Sequence, residues 1–468
     1  MESFNIVVAV ATAVSALTIS FCILKPIYNI FFHPLRNFPG PLFCRASPLP
    51  RQFHLVQGNL PVFTAALHEL HGPVVRVAPG ELSFISSQAW RDIYLPLNDR
   101  QGVRELVKDG KFYSIFGHTA GNIMTANFRE HEQLRRQLSP GFSDKSLRLQ
   151  EPIIQRYVDI FVSKLREVAD NEKARINLTD WFTFLTFDIV GNLALGSDFG
   201  CLYRSQFHPW VYALKRNLRE FVILQLLAHF DLGWLNRCIT SLPILNGHTR
   251  HENLTKRMLQ SRLDDDEEHP DIISVIQNLK EPFSFGKLHS NMSLFILAGS
   301  ETSATMMTGF FSLLSENPEA RKRVTNEVRA SFSSEYEITL IGVKSLPYLL
   351  ACINETLRLV PPTPNAMPRV VGLGGHSIAE HYVPQYTVVY VAPWAAYRSE
   401  TNFTLPVEFH PERFLQDPKF AKDDLSVLQP FSIGHRSCVG RGLAYAEIQL
   451  TLAKILYNFD FEVAASKL

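Results

Sequence analysis

Residues Phe431-Ser432-Ile433-Gly434-His435-Arg436-Ser437-Cys438-Val439-Gly440 set one thiol between two glycines, just ahead of a helical pattern from Arg441 to Leu456. A thiolate placed there meets the free N–H groups and the positive dipole end of a helix, both of which favour the anion. An axial ligand of haem iron needs such a sulfur, charged and held in one direction. Gly434 and Gly440 permit a tight turn and a close approach of backbone to sulfur and porphyrin, and Arg436 is placed to pair with a propionate carboxylate. A lone cysteine before a helix is usually a structural thiol. The rest of the chain must therefore carry the argument.

Glu355 and Arg358 stand at i, i+3 within the apolar run Leu349 to Leu359. On a solvated helix such a pair contributes only about 0.2–0.5 kcal/mol. Here the helix is apolar nearly all round, which predicts a buried pair needing further partners. Pro411-Glu412-Arg413-Phe414 can supply one. Between Met292 and Leu314 an apolar helix is interrupted by Ala298-Gly299-Ser300-Glu301-Thr302-Ser303, where Gly and small hydroxyl residues are unfavourable. A tolerated helix distortion is the alternative. His131 and Arg135 are i, i+4 neighbours on what could be an ordinary amphipathic helix, and Arg369 follows the Pro-rich stretch 361–368.

Phe, Gly, Arg, Cys and Gly at these offsets, with the Glu-x-x-Arg helix and the Pro-Glu-Arg-Phe loop, resemble the cytochrome P450 superfamily in its microsomal, fungal form. The likeness runs from about Pro39 to Glu462. Ser432 and His435 depart from it, standing where eukaryotic members often carry Gly and Pro. The resemblance implies haem b with Cys438 as the iron's axial ligand. It gives Arg436, His131, Arg135 and Arg369 to the haem propionates, and Phe431, Gly434, Gly440, Ala298 and Gly299 to the walls of the cofactor site. It makes Ala298 to Thr302 a groove for dioxygen, with Thr302 as hydrogen-bonding group and Glu301 as proton source. Glu355, Arg358 and Arg413 take a structural role, holding the cysteine loop.

The activity so implied is a haem-thiolate monooxygenase that inserts one atom of O2 into a lipophilic small molecule, a polyketide or terpenoid of secondary metabolism. Electrons come from NADPH through an NADPH–cytochrome reductase, with cytochrome b5 as a second donor. The reductase is expected on the Cys438 side, where Arg135 and Arg136 form a basic face. The substrate pocket draws on residues 114–126, 295–302 and 363–367. Two other readings stay open: a reductase-independent isomerase or dehydratase, and a tethered haem protein without turnover.

These residues need a scaffold. Val74 to Val77 and Leu82 to Ile85 flank Ala78-Pro79-Gly80 as a β-hairpin, and Val388 to Ala392 is another strand. Most of the remainder has helical periodicity, so the class is mainly α with a small β region, α+β. The resemblance implies a triangular helical haem domain. Lys plus Arg is 46 against 45 Asp plus Glu, and no basic stripe appears, so nucleic acid is excluded as a partner. Six scattered cysteines fit a reducing compartment.

Residues 6–24 carry no charge and would make about 28 Å of helix, enough to span a bilayer. Lys25 and Arg36 follow, which puts the remainder on the cytosolic side. The expected organisation is an anchor over 1–28, a Pro/Gly linker over 29–41 and a haem domain over 42–468, held at the endoplasmic reticulum membrane. The chain stops at Leu468, where relatives continue into a terminal β-hairpin, so a shortened haem domain is expected. The ending Ser466-Lys467-Leu468 matches a peroxisomal address, the alternative location.

Overall fold

The computed structural model of the protein describes residues 20, 23–99, 102–113, 116, 121–169, 175–235, 247–265, 269–279, 281–365 and 367–462. The expected membrane run falls outside them except for residues 20, 23 and 24, and so does Ser466-Lys467-Leu468. No helix among the described residues is long and apolar enough to cross a membrane.

Eight helices frame the site: α1 (Phe128–Leu138), α2 (Asp144–Ala169), α3 (Leu178–Leu195), α4 (Pro209–His229), α5 (Gly247–Leu263), α6 (Phe285–Glu316), α7 (Pro347–Leu359) and α8 (Arg441–Asn458). Local chemistry sets their ends. The Asn127 side chain accepts from the Glu130 N–H at 3.0 Å to start α1, and Gly196, at φ +60°, stops α3. Helix α3 buries Trp181, Phe182, Phe187 and Leu193 around its whole circumference, each such side chain stabilising by about 1.5–3 kcal/mol.

The longest helix, α6, crosses the core against α3. It continues unbroken through residues 298–303. The hydroxyls responsible for the expected distortion turn back on their own helix: Ser300 Oγ donates to the Ile296 carbonyl at 2.9 Å and Thr302 Oγ1 to the Ala298 carbonyl at 2.8 Å. The small residue at 299 has a packing reason. A Cβ there would lie 2.8 Å from Cγ2 of Val190 on α3.

Five strands form one sheet: β1 (Val74–Ala78), β2 (Glu81–Phe84), β3 (Val107–Lys108), β4 (Arg369–Val370) and β5 (Val388–Val391), in the order β1-β2-β5-β4-β3. The first two are the expected hairpin, with Val74 opposite Phe84. β2 runs parallel to β5 with Leu82 beside Val389, a pairing across some three hundred residues of chain. β4 joins β5 and β3 antiparallel, setting Lys108 directly opposite Arg369. Short hairpins at 97–104 and 376–383 complete the β structure among the described residues. One apolar core lies among the helices and a second around the sheet, with Val75, Phe84 and Val389 at its centre.

Candidate functional site

Between the two cores lies a cavity of about 390 Å³. The sheet core contributes Trp90, Tyr94 and Val391 to its wall; α3 contributes Ile189, Val190 and Leu193; α6 contributes Phe295, Ala298, Gly299 and Thr302. The cysteine loop closes one side with Phe431, Arg436, Cys438 and Gly440. Of the four described cysteines, Cys44, Cys201 and Cys352 are buried in packing, whereas Cys438 is exposed, and what it faces is this cavity.

The loop's backbone shape is set locally. The Cys438 N–H donates to the Phe431 carbonyl at 2.8 Å. Gly434 sits at φ +74°, and a Cβ there would press on Leu95 Cδ2 at 3.0 Å, so its smallness is required. Gly440 differs from expectation. Its φ of −85° is open to any residue, and a Cβ would meet nothing closer than 3.9 Å. Its contribution is the N–H, which donates to the Cys438 sulfur and favours the thiolate. A strained non-glycine position is Ser432, at φ +59°. Burial nonetheless outweighs Gly440 and Arg135 and raises the Cys438 thiol above its ordinary value. Burial thus opposes what the helix end and the Gly440 N–H favour at this sulfur.

The wall opposite the apolar helices is cationic. Lys108, His131, Arg135, Arg369 and Arg436 all line it. Lys108 Nζ donates to the Ala126 carbonyl at 2.8 Å and also to that of Met124, and burial together with Arg436 and Arg369 lowers it to about 7. Arg369 donates to Tyr113 Oη and lies over the Tyr94 and Tyr113 rings. His131 is 3% exposed and is kept neutral, at about 3, by burial and by Arg436. Its Nδ1 and Arg436 Nη1 are buried without a hydrogen-bond partner among the described residues. Cations paired across strands and orphaned buried donors are unfavourable without an anion. The wall fits the carboxylates of haem, and Cys438 fits its iron.

Other expected residues lie elsewhere. Glu301 is off the cavity wall, half-buried, and raised by burial with Lys215 opposing. Arg135 is turned inward and donates to the Ser437 carbonyl, so only Arg136 remains exposed for a basic face. Glu355, Arg358 and Arg413 cluster together with fully buried side chains. Arg358 grips Glu355 with two bonds of 2.8 and 2.7 Å. Arg413 Nε is 3.4 Å from Glu355, too long for a strong hydrogen bond, and its closer partner is Asp423. Of the expected pocket, Ile123, Met124, Phe295, Ala298, Gly299, Thr302, Thr363, Asn365 and Met367 line the cavity, whereas Phe116, Asn122, Ile296, Ser300 and Pro364 do not; residues 114, 115, 117–120 and 366 lie outside the described residues.

Sequence reading missed Lys108, Glu105 and Glu447. Glu447 of α8 is buried on the cavity wall, raised to about 8 by burial and hydrogen-bonded by Ser303 Oγ at 3.3 Å. Its only sequence signal is a lone carboxylate in an apolar stretch. Lys108 and Glu105 reach the site through strand pairing and give no signal.

A helical body on a small sheet, with one described cysteine facing a cation-rimmed cavity, is an arrangement that could hold haem through a thiolate. The cytochrome P450 family model matches residues 41–467, and the chain belongs to that family. It is 44% identical over 459 residues to the cytochrome P450 monooxygenase tpeC of Talaromyces stipitatus, covering 97% of this chain and 90% of that one. It is 39% identical to averantin hydroxylase of Dothistroma septosporum, over 94% of this chain and 83% of that one. To the monooxygenase astA of Talaromyces wortmannii it is also 39% identical, over 96% and 91%. The chain is a P450 monooxygenase of the fungal secondary-metabolite type, and its family uses haem, a redox partner and a small-molecule substrate.

Proposed function

We propose that the Cys438 thiolate would hold the iron of a haem b, that Arg436, His131, Lys108 and Arg369 would hold its carboxylates, and that the substrate is a lipophilic polyketide or terpenoid intermediate. One observation carries this: the only described cysteine that is not packed away faces a cavity lined by Lys108, Arg135, Arg369 and Arg436, on which His131 Nδ1 and Arg436 Nη1 are buried without a partner among the described residues. Bound there, haem supplies dioxygen binding and reductive activation, with one oxygen atom passing to substrate and the other leaving as water. The thiol gives up its proton on ligation, and the Gly440 N–H keeps the sulfur directed. Thr302 Oγ1, at rest against the Ala298 carbonyl, is the wall hydroxyl able to hold and pass a proton. Glu301 serves as the outer source and, being off the wall, needs a side-chain turn or a bridging water to reach it. Phe295, Ile189, Leu193 and Val391 exclude bulk water and orient an apolar substrate.

NADPH–cytochrome reductase supplies the electrons, with cytochrome b5 as a second donor, docking beside the cysteine loop. The uncharged run 6–24 and the cations after it support an anchor at the endoplasmic reticulum. The test is a carbon monoxide difference spectrum of the reduced protein beside Cys438→Ser. A thiolate-type band in the parent alone is expected, and its absence from the parent would overturn the ligand assignment. Substrate-dependent NADPH oxidation with the reductase is expected, and turnover of a peroxide substrate with no activity from NADPH and reductase would overturn monooxygenation in favour of isomerisation.

A further inference from the structure

Beside the cysteine loop stands a carboxylate that neither the motif nor the proposed chemistry uses. Glu105, between the 97–104 hairpin and β3, accepts from Arg436 Nε and from Arg436 Nη2, both at 2.6 Å. The same carboxylate lies 2.9 Å from His435 Nε2. Arg436 and Glu105 side chains are 8% and 13% exposed, which shields the pair from solvent and salt. A bidentate pair is geometrically specific because the guanidinium fork has one planar orientation in which both bonds are straight.

That orientation leaves Nη1 as the unused edge. It is buried, it has no partner among the described residues, and its side chain lines the cavity. His435 is tied in the same way: one ring nitrogen is on Glu105, while Nδ1 is buried without a partner among the described residues. The ring is braced edge-on by Phe128 at 5.2 Å and by His131 at 5.6 Å. Two consecutive side chains of the loop are thus tied behind to one carboxylate; in front Arg436 presents an N–H donor, while His435, whose proton faces Glu105, presents its other ring nitrogen. The placement of His435, a departure from the family's usual proline, is thereby explained: an imidazole supplies the second bond that a proline could not.

We propose that Glu105 is a positioning residue of the haem site, a rear anchor that fixes Arg436 and His435 so that Arg436 Nη1 is presented to a haem propionate. This rests on the haem-thiolate reading. An untethered arginine would have to lose rotamer freedom each time it met the propionate, and Glu105 removes that loss in advance. Its negative charge also sits behind the propionate-binding cation, which weakens the field that favours electron uptake by the haem. Removing the charge therefore loosens haem and raises its reduction potential.

The holoprotein carrying Glu105→Gln is compared with the parent for transfer of haem to an excess of a haem-free globin and for midpoint potential in a redox titration. Glutamine keeps the volume and one acceptor. The expected result is haem loss faster by about tenfold, the loss of one charge-assisted bond's worth of anchoring, with the potential moved upward and the thiolate-type carbon monoxide band retained. Glu105→Asp, which keeps the charge, should recover most of the potential. In an Arg436→Ala background, Glu105→Gln should leave haem loss unchanged, because the anchor then holds nothing. Parental haem loss and potential in Glu105→Gln, or an equal effect with and without Arg436, overturns the proposal. Should Glu105→Gln not assemble with haem, Glu105→Asp carries the same cycle. The carbon monoxide band of the parent tests the haem-thiolate reading separately, so failure of one is distinguishable from failure of the other.

Discussion

Glu355→Gln is the substitution whose effect the structure specifies most closely. The carboxylate is fully buried and accepts from Arg358 Nε at 2.8 Å, Arg358 Nη2 at 2.7 Å and the His410 N–H at 2.9 Å, with Arg413 Nε at 3.4 Å. A glutamine fills the same volume but must turn an NH2 toward a donor at one of the two oxygen positions. At the least it loses one charge-assisted bond, about 1.5–3 kcal/mol. It also leaves two guanidinium groups with Asp423 as the remaining carboxylate in the cluster. Breaking a buried pair from one side costs about 3–5 kcal/mol, so about 4 kcal/mol is expected here. The damage should reach the haem site by a traceable route. Arg358 Nη1 donates to the Tyr397 carbonyl at 2.7 Å, and Tyr397 Oη accepts the Gln429 N–H at 3.0 Å, two residues before the cysteine loop. Urea unfolding followed by both haem absorbance and far-ultraviolet circular dichroism measures the loss. Arg323→Ala is the control, because its pair with Glu412 leaves Arg323 more than half exposed and should change stability by at most about 1 kcal/mol. A Glu355→Gln protein within about 1 kcal/mol of the parent, at unchanged denaturant slope, would refute the argument that burial makes this cluster decisive.

Three further outcomes are expected. Ser432→Gly should be neutral or stabilise by up to about 1 kcal/mol, since it relieves a left-handed backbone at φ +59°, whereas Gly434→Ala should destabilise by about 1–3 kcal/mol through strain and the Leu95 contact; thermal unfolding midpoints rank the two. Gly299→Ala should destabilise by about 1–3 kcal/mol because its Cβ meets the stiff Val190 at 2.8 Å, and Val190→Ala should rescue it. In the haem-free protein Lys108 is lowered to about 7 from its ordinary 10.5, so the unfolded chain holds the extra proton between those values and stability rises with pH across that window. Lys108→Met should flatten that rise, as read by denaturant midpoints at pH 7 and pH 10.

The cysteine loop, the Glu-x-x-Arg helix and the Pro-Glu-Arg-Phe loop were legible because each is a short run whose residue types and offsets specify local geometry. Helix α7 shows why burial of its pair could be foreseen: a helix apolar on every face has nowhere to put a charge except inside. The interruption in α6 was legible as an anomaly but not in its consequence. Hydroxyls returning to i−4 carbonyls kept the helix continuous, and Gly299 proved to answer a neighbour on another helix.

By itself the sequence determined the class, the family likeness, the candidate cysteine and the elements around it, since these depend on contacts between residues close in the chain. Tertiary structure alone decided which charges share the cavity. Lys108 faces Arg369 because β3 pairs with β4, Glu105 reaches Arg436 across 331 positions, and Glu301 turns away while Thr302, the next residue, lines the wall. A carboxylate beside an arginine is worth several kcal/mol when both are buried and almost nothing when both are solvated. Burial and approach across hundreds of residues are properties of the assembled chain, and they separate the residues that hold the haem site from those that merely resemble its motif.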